Sequence, residues 1–196
     1  MRKLILQQWI SLDGCIADAN GGLDFFTKLN NEGSQFSDLE KLKFLEERID
    51  LFILGRTTYK LFVEYWPTDV SKVEVISEKL NSLPKAVVSN TLKHAPWGKW
   101  PEAQIISGDV AAQIIKLKSL PGKDIIVWGS LELSHFLLKN NLFDEIHFQI
   151  CPVIVGDGMK QFGNGIPPND LELKNIRTYG NGVMFVEYNV RRKDQH

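Results

Sequence analysis

Glycine, arginine and hydroxyl side chains recur where short apolar runs of this chain end. Gly55-Arg56-Thr57-Thr58 closes the run Leu51–Arg56, Gly129-Ser130 closes Ile125–Ser130, and Gln104–Asp109 ends on a third corner of small and polar residues. Each run reads as a buried strand passing straight into a helical pattern. A strand end that feeds a helix start leaves backbone N–H groups and a positive dipole end facing one crevice, which suits the phosphates of a dinucleotide. The Arg56 guanidinium and the Thr57 and Thr58 hydroxyls add donors for phosphate oxygens. Ser89-Asn90-Thr91, after a strand from Ala86, adds hydroxyl and amide groups beside the same edge, where a ribose or its 2′-phosphate would lie. Taken singly, each corner is better explained as a tight turn with Thr57 or Ser130 as a helix cap. Several corners aligned on one sheet edge favour a ligand.

Other chemistries lack their residues. No Gly-x-Gly-x-x-Gly follows the first strand, and neither a Gly-x-x-x-x-Gly-Lys-Ser/Thr loop nor a Gly-x-Ser-x-Gly elbow occurs, which disfavours a Rossmann dehydrogenase, a P-loop enzyme and the simplest hydrolases. Gly163-Asn164-Gly165 precedes Pro167-Pro168 and reads as a flexible turn. His94, His135, His147 and His196 show no metal-ligand spacing, so no metal site is expected. The formal net charge of −1 gives no field that would draw the chain to nucleic acid or an anionic membrane, leaving small molecules as the expected partners. The start, Met1–Leu6, resembles a signal peptide, but Gln7 and Gln8 interrupt it at once, and no apolar run approaches the length of a membrane span. Cys15 and Cys151, far apart in the chain, argue against a disulfide framework and for a reducing cytoplasm.

The elements that must carry these corners form one α/β domain over residues 1–196, with 191–196 expected as a disordered tail. Lys3–Ile10 is the first strand, turned by Ser11-Leu12-Asp13-Gly14, and a polar loop follows to about Phe36. Ser37 or Asp38 caps a helix whose Leu39, Leu42, Leu45 and Ile49 form one apolar stripe. Strands at Leu51–Leu54, Ala86–Ser89, Gln104–Ile106 and Asp124–Trp128 alternate with helices at Thr57–Glu64, Asp109–Lys118 and Leu131–Asn140, which predicts a largely parallel sheet. The last third changes character: Glu145–Ile150, Leu171–Thr178 and Val183–Val190 are strands, the last two joined as a hairpin by Gly180-Asn181-Gly182.

Ser11-Leu12-Asp13-Gly14, Leu54-Gly55-Arg56-Thr57-Thr58-Tyr59, Val127-Trp128-Gly129-Ser130, and Phe143-Asp144-Glu145-Ile146 leading to Cys151-Pro152-Val153-Ile154-Val155-Gly156-Asp157-Gly158 occur in an order that resembles the dihydrofolate reductase superfamily. Within it the set is most similar to the reductase domain of the bifunctional riboflavin-biosynthesis deaminase/reductase and its free-standing relatives. The resemblance runs from Lys3 to Tyr188. It implies a three-layer fold with a mixed, mostly parallel sheet flanked by helices, NADPH as hydride donor, and a homodimer. Carried over by position, Gly55, Arg56, Thr57 and Thr58 would meet the cofactor phosphates, Ser89 and Asn90 the 2′-phosphate side, and Gly129, Ser130 and Leu131 the pyrophosphate corner. Asp13 would lie near the nicotinamide and the substrate. The implied activity is hydride transfer to a small heterocycle, of the 5-amino-6-(5-phosphoribosylamino)uracil reductase type.

Departures from that pattern bear on the substrate. Ser130 stands where the family commonly has a second glycine. Gln7 and Cys15 stand where riboflavin-type reductases usually carry cations, and the loss weakens the case for a phosphorylated substrate. Asp38 or Glu40 is a candidate for the buried carboxylate of the folate enzyme, although a helix cap and a solvated face explain both better, because acidic residues cluster in first turns. Asp13 is the candidate for orienting substrate or relaying a proton, against a plain turn-forming role, and Trp9, Phe25 and Phe26 are candidates for a water-excluding wall. A folate reductase proper and a non-catalytic nucleotide-binding or assembly module are the rival readings.

Overall fold

A computed structural model of the chain describes residues 1–27, 34–163 and 165–191. Strand β1 (Leu4–Ser11) turns at Asp13-Gly14 into β2 (Cys15–Asp18), then come α1 (Asp24–Thr27), α2 (Ser34–Arg48), β3 (Ile49–Gly55) and α3 (Arg56–Val63). A 3-10 turn (Asp69–Val73) and α4 (Ser77–Ser82) lead to β4 (Lys85–Val88), β5 (Gln104–Ile106), α5 (Val110–Ser119), β6 (Asp124–Val127) and α6 (Leu131–Lys139). The chain closes with β7 (Glu145–Cys151), β8 (Gly158–Lys160), β9 (Asp170–Thr178) and β10 (Met184–Arg191).

Eight strands form one sheet in the order β5-β4-β3-β6-β1-β7-β10-β9. The first six are mutually parallel, and β10 and β9 add antiparallel strands at one edge, as the sequence predicts. Alternation decides which side each residue feeds. Leu4, Leu6, Ile53, Ile125 and Val127 face α5 and α6, while Ile5, Phe52, Leu54 and Ile126 face α2, α3 and α4. Both faces of β6 and β3 are therefore buried, which is why their sequences are continuous apolar runs. Asp109 caps α5 as expected, its carboxylate accepting the Ala112 N–H at 3.0 Å.

Several expectations need correction. The predicted loop before Phe36 contains β2 and α1, and α2 begins at Ser34, so Ser37 and Asp38 lie inside its first turns rather than capping it. The side chain of Ser37 lies outside the described residues. Of the expected stripe, Leu42, Leu45 and Ile49 pack on the sheet side, Ile49 as the first residue of β3, but Leu39 is 56% exposed, and α2 also lays Lys41 and Phe44 toward the sheet. Strand β8 pairs with β2 in a separate two-stranded sheet, and each is too short for periodicity to announce it. Arg191 closes β10 rather than opening a tail; the remainder of 191–196, and Asn164 of the Gly163-Asn164-Gly165 turn, lie outside the described residues.

Lys85 illustrates how a charged strand residue is accommodated. Its Nζ donates to the carbonyls of Leu80, Asn81 and Leu83 at 2.7, 2.8 and 2.7 Å and sits 4.7 Å from the Trp97 ring centre. The ammonium therefore closes the C-terminal end of α4 and pins the loop carrying Trp97. Lys85→Met is expected to cost about 1–3 kcal/mol in urea unfolding, because three buried carbonyls lose their donor. An unchanged midpoint would show that these bonds are not needed.

Candidate active site

The parallel strands aim their C-terminal ends at one edge, and two corners meet there. Gly55, the last residue of β3, donates its N–H to the Gly129 carbonyl at 3.2 Å. A Cβ built on Gly55 would lie 2.2 Å from Ser130 Oγ and 2.9 Å from Ser130 N, while one on Gly129, whose φ is +63°, would lie 2.8 Å from Thr58 Oγ1. The Gly129–Ser130 peptide is cis. Ser130 caps α6, its Oγ facing the Leu133 N–H at 3.5 Å, and Gly55 precedes α3 with no side chain capping it. The first N–H groups of α3 are thus left for a ligand.

A cleft of about 950 Å³, measured out to its mouth, opens at this junction. Gly55, Arg56, Thr57, Ser89, Asn90 and Ser130 line it, so six of the expected residues come together. Arg56 Nη1 donates to Thr91 Oγ1 at 2.9 Å, and Ser89 Oγ accepts from the N–H groups of Thr91 and Leu92 at 3.2 and 3.1 Å. Asn90 Oδ1 accepts from Gly108 N at 3.1 Å, tying the β4 loop to the β5 corner. Three expected residues sit behind this lining rather than in it: Thr58 packs under Gly129, Gly129 presents its carbonyl to Gly55, and Leu131 begins α6. Gly108, Glu132 and Phe136 also line the cleft. Of these only Gly108 lies within a corner visible in the sequence. The donors and the glycine cradle fit a dinucleotide, with backbone approaching the diphosphate where no side chain has room.

Asp13 stands apart from that cleft in a tight network. Its Oδ1 accepts from Ser11 Oγ at 2.7 Å and Val155 N at 3.0 Å, and its Oδ2 from Gly156 N and Lys160 Nζ, each at 2.9 Å. These bonds, from Ser11 first, then Val155, Lys160 and Gly156, hold its carboxyl well below the usual carboxylate range. A carboxylate so engaged stays ionised and has no proton to give near neutral pH. Its bonds join the β1 turn to the loop after Cys151 and to β8. Trp9, Phe25 and Phe26 do form one aromatic group, with Trp9 edge-on to Phe26 at 6.0 Å, packed with Cys151 and Val183.

A second cavity, of about 340 Å³ by the same measure, lies between α2 and the sheet. Two rows of paired residues run across β1, β7, β10 and β9 beneath it, Gln7–His147–Glu187–Asn175 and Trp9–Gln149–Phe185–Arg177, and of these Gln7, Glu187, Gln149, Phe185 and Arg177 line the cavity. Residue types that read as a solvent-facing edge are in fact buried under a helix. Asp38 and Glu40, the two candidate carboxylates, are both engaged: Asp38 faces Lys41 Nζ at 3.4 Å, and Glu40 accepts from Tyr179 Oη at 2.7 Å and pairs with Arg177 at 3.1 Å. Trp128 Nε1 donates to Gln7 Oε1 at 2.8 Å, linking the residue before Gly129 to the floor of this cavity. Sequence reasoning missed Gln149, His147 and Glu187; the period-two polar pattern Glu145, His147, Gln149 was the available signal. Among the described residues no group of three His, Cys, Asp or Glu side chains is placed to hold a metal ion, and no helix is long and apolar enough to cross a membrane.

Comparison with known proteins gives this arrangement a context. YyaP of Bacillus subtilis (strain 168) is 30% identical over 189 residues, which is 95% of this chain and 94% of that protein. A Shewanella sp. PV-4 protein assigned to riboflavin biosynthesis superposes with a TM-score of 0.76 at 22% identity, covering 97% of this chain and 99% of that one. Dihydrofolate reductase from Enterococcus faecalis, solved with NADP(H), superposes with a TM-score of 0.61 at 12% identity over 97% of each chain, so the fold is dihydrofolate reductase-like. The profile of the RibD C-terminal domain matches residues 2–185, and with the ordered motifs and the topology in agreement, the chain belongs to the RibD C-terminal domain family.

Proposed function

We propose that the chain is an NADPH-dependent reductase that passes a hydride to a small heterocyclic acceptor, of the riboflavin-biosynthesis type. The observation that carries this reading is the glycine cradle where Gly55 meets Ser130, at a cleft that Arg56, Ser89 and Asn90 also line, while the Trp128–Gln7 hydrogen bond ties the residue before Gly129 to the wall of the cavity under α2. Bound NADPH supplies the hydride from its nicotinamide ring. The chain's own residues bind and orient. Gly55, Thr57 and the start of α3, with Thr58 behind them, hold the cofactor phosphates; Gly129, Ser130 and Leu131 form the pyrophosphate corner; Arg56, Ser89 and Asn90 take the 2′-phosphate. Asp13 positions the loop carrying Val155 and Gly156 rather than moving a proton. Trp9, Phe25 and Phe26 keep water from the reacting face.

The same reading extends to a homodimer in a reducing cytoplasm, supported by two buried free thiols, Cys15 and Cys151, and by exposed Leu173 and Ile176 on edge strand β9. Loss of absorbance at 340 nm with candidate acceptors tests the activity. A non-catalytic module would bind NADPH and never consume it. Arg56→Ala is expected to weaken NADPH about tenfold, roughly 1.4 kcal/mol, while leaving NADH unchanged. Equal effects on the two cofactors, or none, would remove Arg56 from the 2′-phosphate site.

A further inference from the structure

A heteroatom that receives the electrons of a reduced C=N or C=O group must also take up a proton, and Asp13, held ionised, does not supply it. Of the titratable side chains that line the cavity under α2, Glu40, Arg177, Tyr179 and Glu187 are all engaged. Glu40 accepts from Tyr179 Oη at 2.7 Å and pairs with Arg177 at 3.1 Å, and Arg177 also pairs with Glu187 at 3.2 Å. A guanidinium keeps its protons near neutral pH. Burial, then the bond to Glu40, pushes the Tyr179 hydroxyl well above its ordinary pKa, so it keeps its proton as well. Burial would raise Glu187, but the bond from Asn175 and the charges around it outweigh burial and leave an ionised carboxylate.

Lys41 differs. Its side chain is 13% exposed, and its Nζ lies 5.7 Å from the ring centre of Trp9. Among the described residues its one hydrogen-bond acceptor is Asp38 Oδ1 at 3.4 Å, near the limit of such a bond, which leaves two of its three donors for a ligand. Burial lowers its pKa, and the Asp38 and Glu74 carboxylates oppose that shift. A desolvated ammonium releases its proton more readily than an exposed one.

We infer that Lys41 is the proton donor of the reduction, a catalytic residue whose Nζ faces the heteroatom of an acceptor held in the cavity. The hydride pair, supplied by a reduced nicotinamide, forms a C–H bond on the acceptor carbon, and the π pair of its C=N or C=O group moves to the heteroatom. That atom takes a proton from Lys41 as an Nζ–H bond breaks. The acceptor is reduced by two electrons, the nicotinamide is oxidised by two, and the neutral amine regains its proton from water. The inference rests on the reductase reading, because only a reduction makes this proton necessary.

The dye 4-nitrophenol tests the donor without turnover, its oxygen standing in for the heteroatom as charge develops there. Bound to the full-length protein without cofactor, it is expected to be about tenfold more acidic than in water, read from the phenolate absorbance. Lys41→Met is expected to abolish that shift and Lys41→Arg to keep it, because a cation alone stabilises the phenolate. In turnover of NADPH with 5-amino-6-(5-phosphoribosylamino)uracil, both variants are expected to lose at least about 100-fold in kcat, since arginine keeps the charge but gives up no proton. Wild-type kcat should fall as the pH rises through the Lys41 pKa, and Lys41→Arg should flatten that limb. Circular dichroism and NADPH affinity, unchanged in both variants, control for folding. No dye binding, a dye shift that survives Lys41→Met, or wild-type kcat in Lys41→Arg would overturn the assignment. A Lys41-dependent dye shift without any NADPH consumption would keep Lys41 as the acid of this cavity and remove the reductase reading; NADPH consumption unchanged in both variants would do the reverse.

Discussion

Gly55→Ala is expected to reduce NADPH affinity about 100-fold or more, a loss of roughly 2.7 kcal/mol. The backbone there, φ −74° and ψ 156°, is open to any residue, so the substitution adds no conformational strain and isolates the steric effect. The new methyl would lie 2.2 Å from Ser130 Oγ and 2.9 Å from both Ser130 Cβ and N. Rotating the serine hydroxyl relieves the first contact, but the backbone contact forces the start of α6 away from β3. The cradle for the diphosphate would deform. Adding Ser130→Gly removes the two side-chain contacts and is expected to restore part of the affinity, and titration of the two variants side by side checks this. Wild-type affinity in Gly55→Ala would show that the cofactor does not lie at this junction.

The largest loss of stability is expected from Glu145→Ala, about 3–5 kcal/mol, because it removes the buried carboxylate shared by the buried His147 and by the partly exposed Lys3, Arg48 and Lys174. Glu145 is fully buried on β7. Lys3 Nζ reaches Oε1 at 2.6 Å, Lys174 reaches Oε2 at 3.0 Å, Arg48 reaches Oε2 at 3.2 Å, and His147 Nε2 lies 2.9 Å from Oε2. Burial alone would raise its pKa. Bonds from His147, Lys3, Arg48 and Lys174 outweigh it and hold the carboxyl well below its ordinary 4.5. A folded-state value below the unfolded one means that the stabilisation is complete above about pH 4.5 and drains away as the pH falls beneath it. Urea unfolding of the wild type from pH 7 to pH 3 should therefore steepen below pH 4.5, and Glu145→Ala should flatten that limb. A variant as stable as the wild type at pH 7 would contradict this role.

The same residue shows what the sequence conceals. Asp124–Val127 is apolar on both faces and is read at once as a central strand, and Asp109 announces its helix because a cap is a local bond to Ala112. Glu145, His147 and Gln149 alternate with Ile146, Phe148 and Ile150, a pattern that ordinarily means one solvated face. Here that face lies under α2, whose own Lys41 and Arg48 match it in charge, so neither element betrays the contact alone. Lys85 is concealed in the same way, its three acceptors supplied by the end of a neighbouring helix.

The site divides along similar lines. Gly55, Arg56, Ser89, Asn90 and Ser130 are legible because each follows a strand, and parallel strands bring their ends to one edge. Asp13 is legible as a turn residue, but its partners Val155, Gly156 and Lys160 lie more than 140 positions away, and they decide its ionisation. Gln7 stands out as a departure from the family's usual cation. Its pairing with Trp128, and the place of Gln149 on the same cavity wall, appear only once β1, β6 and β7 are in register.

The central claim is that the end of β3 and the start of α6 together cradle the diphosphate of NADPH. A crystal structure of the NADPH complex tests it most directly. The account predicts the diphosphate against Gly55 and Ser130, the 2′-phosphate within reach of Arg56, and the nicotinamide directed past Trp128 toward Gln7. Cofactor density elsewhere on the molecule, or a diphosphate away from the Gly55–Ser130 junction, would contradict it.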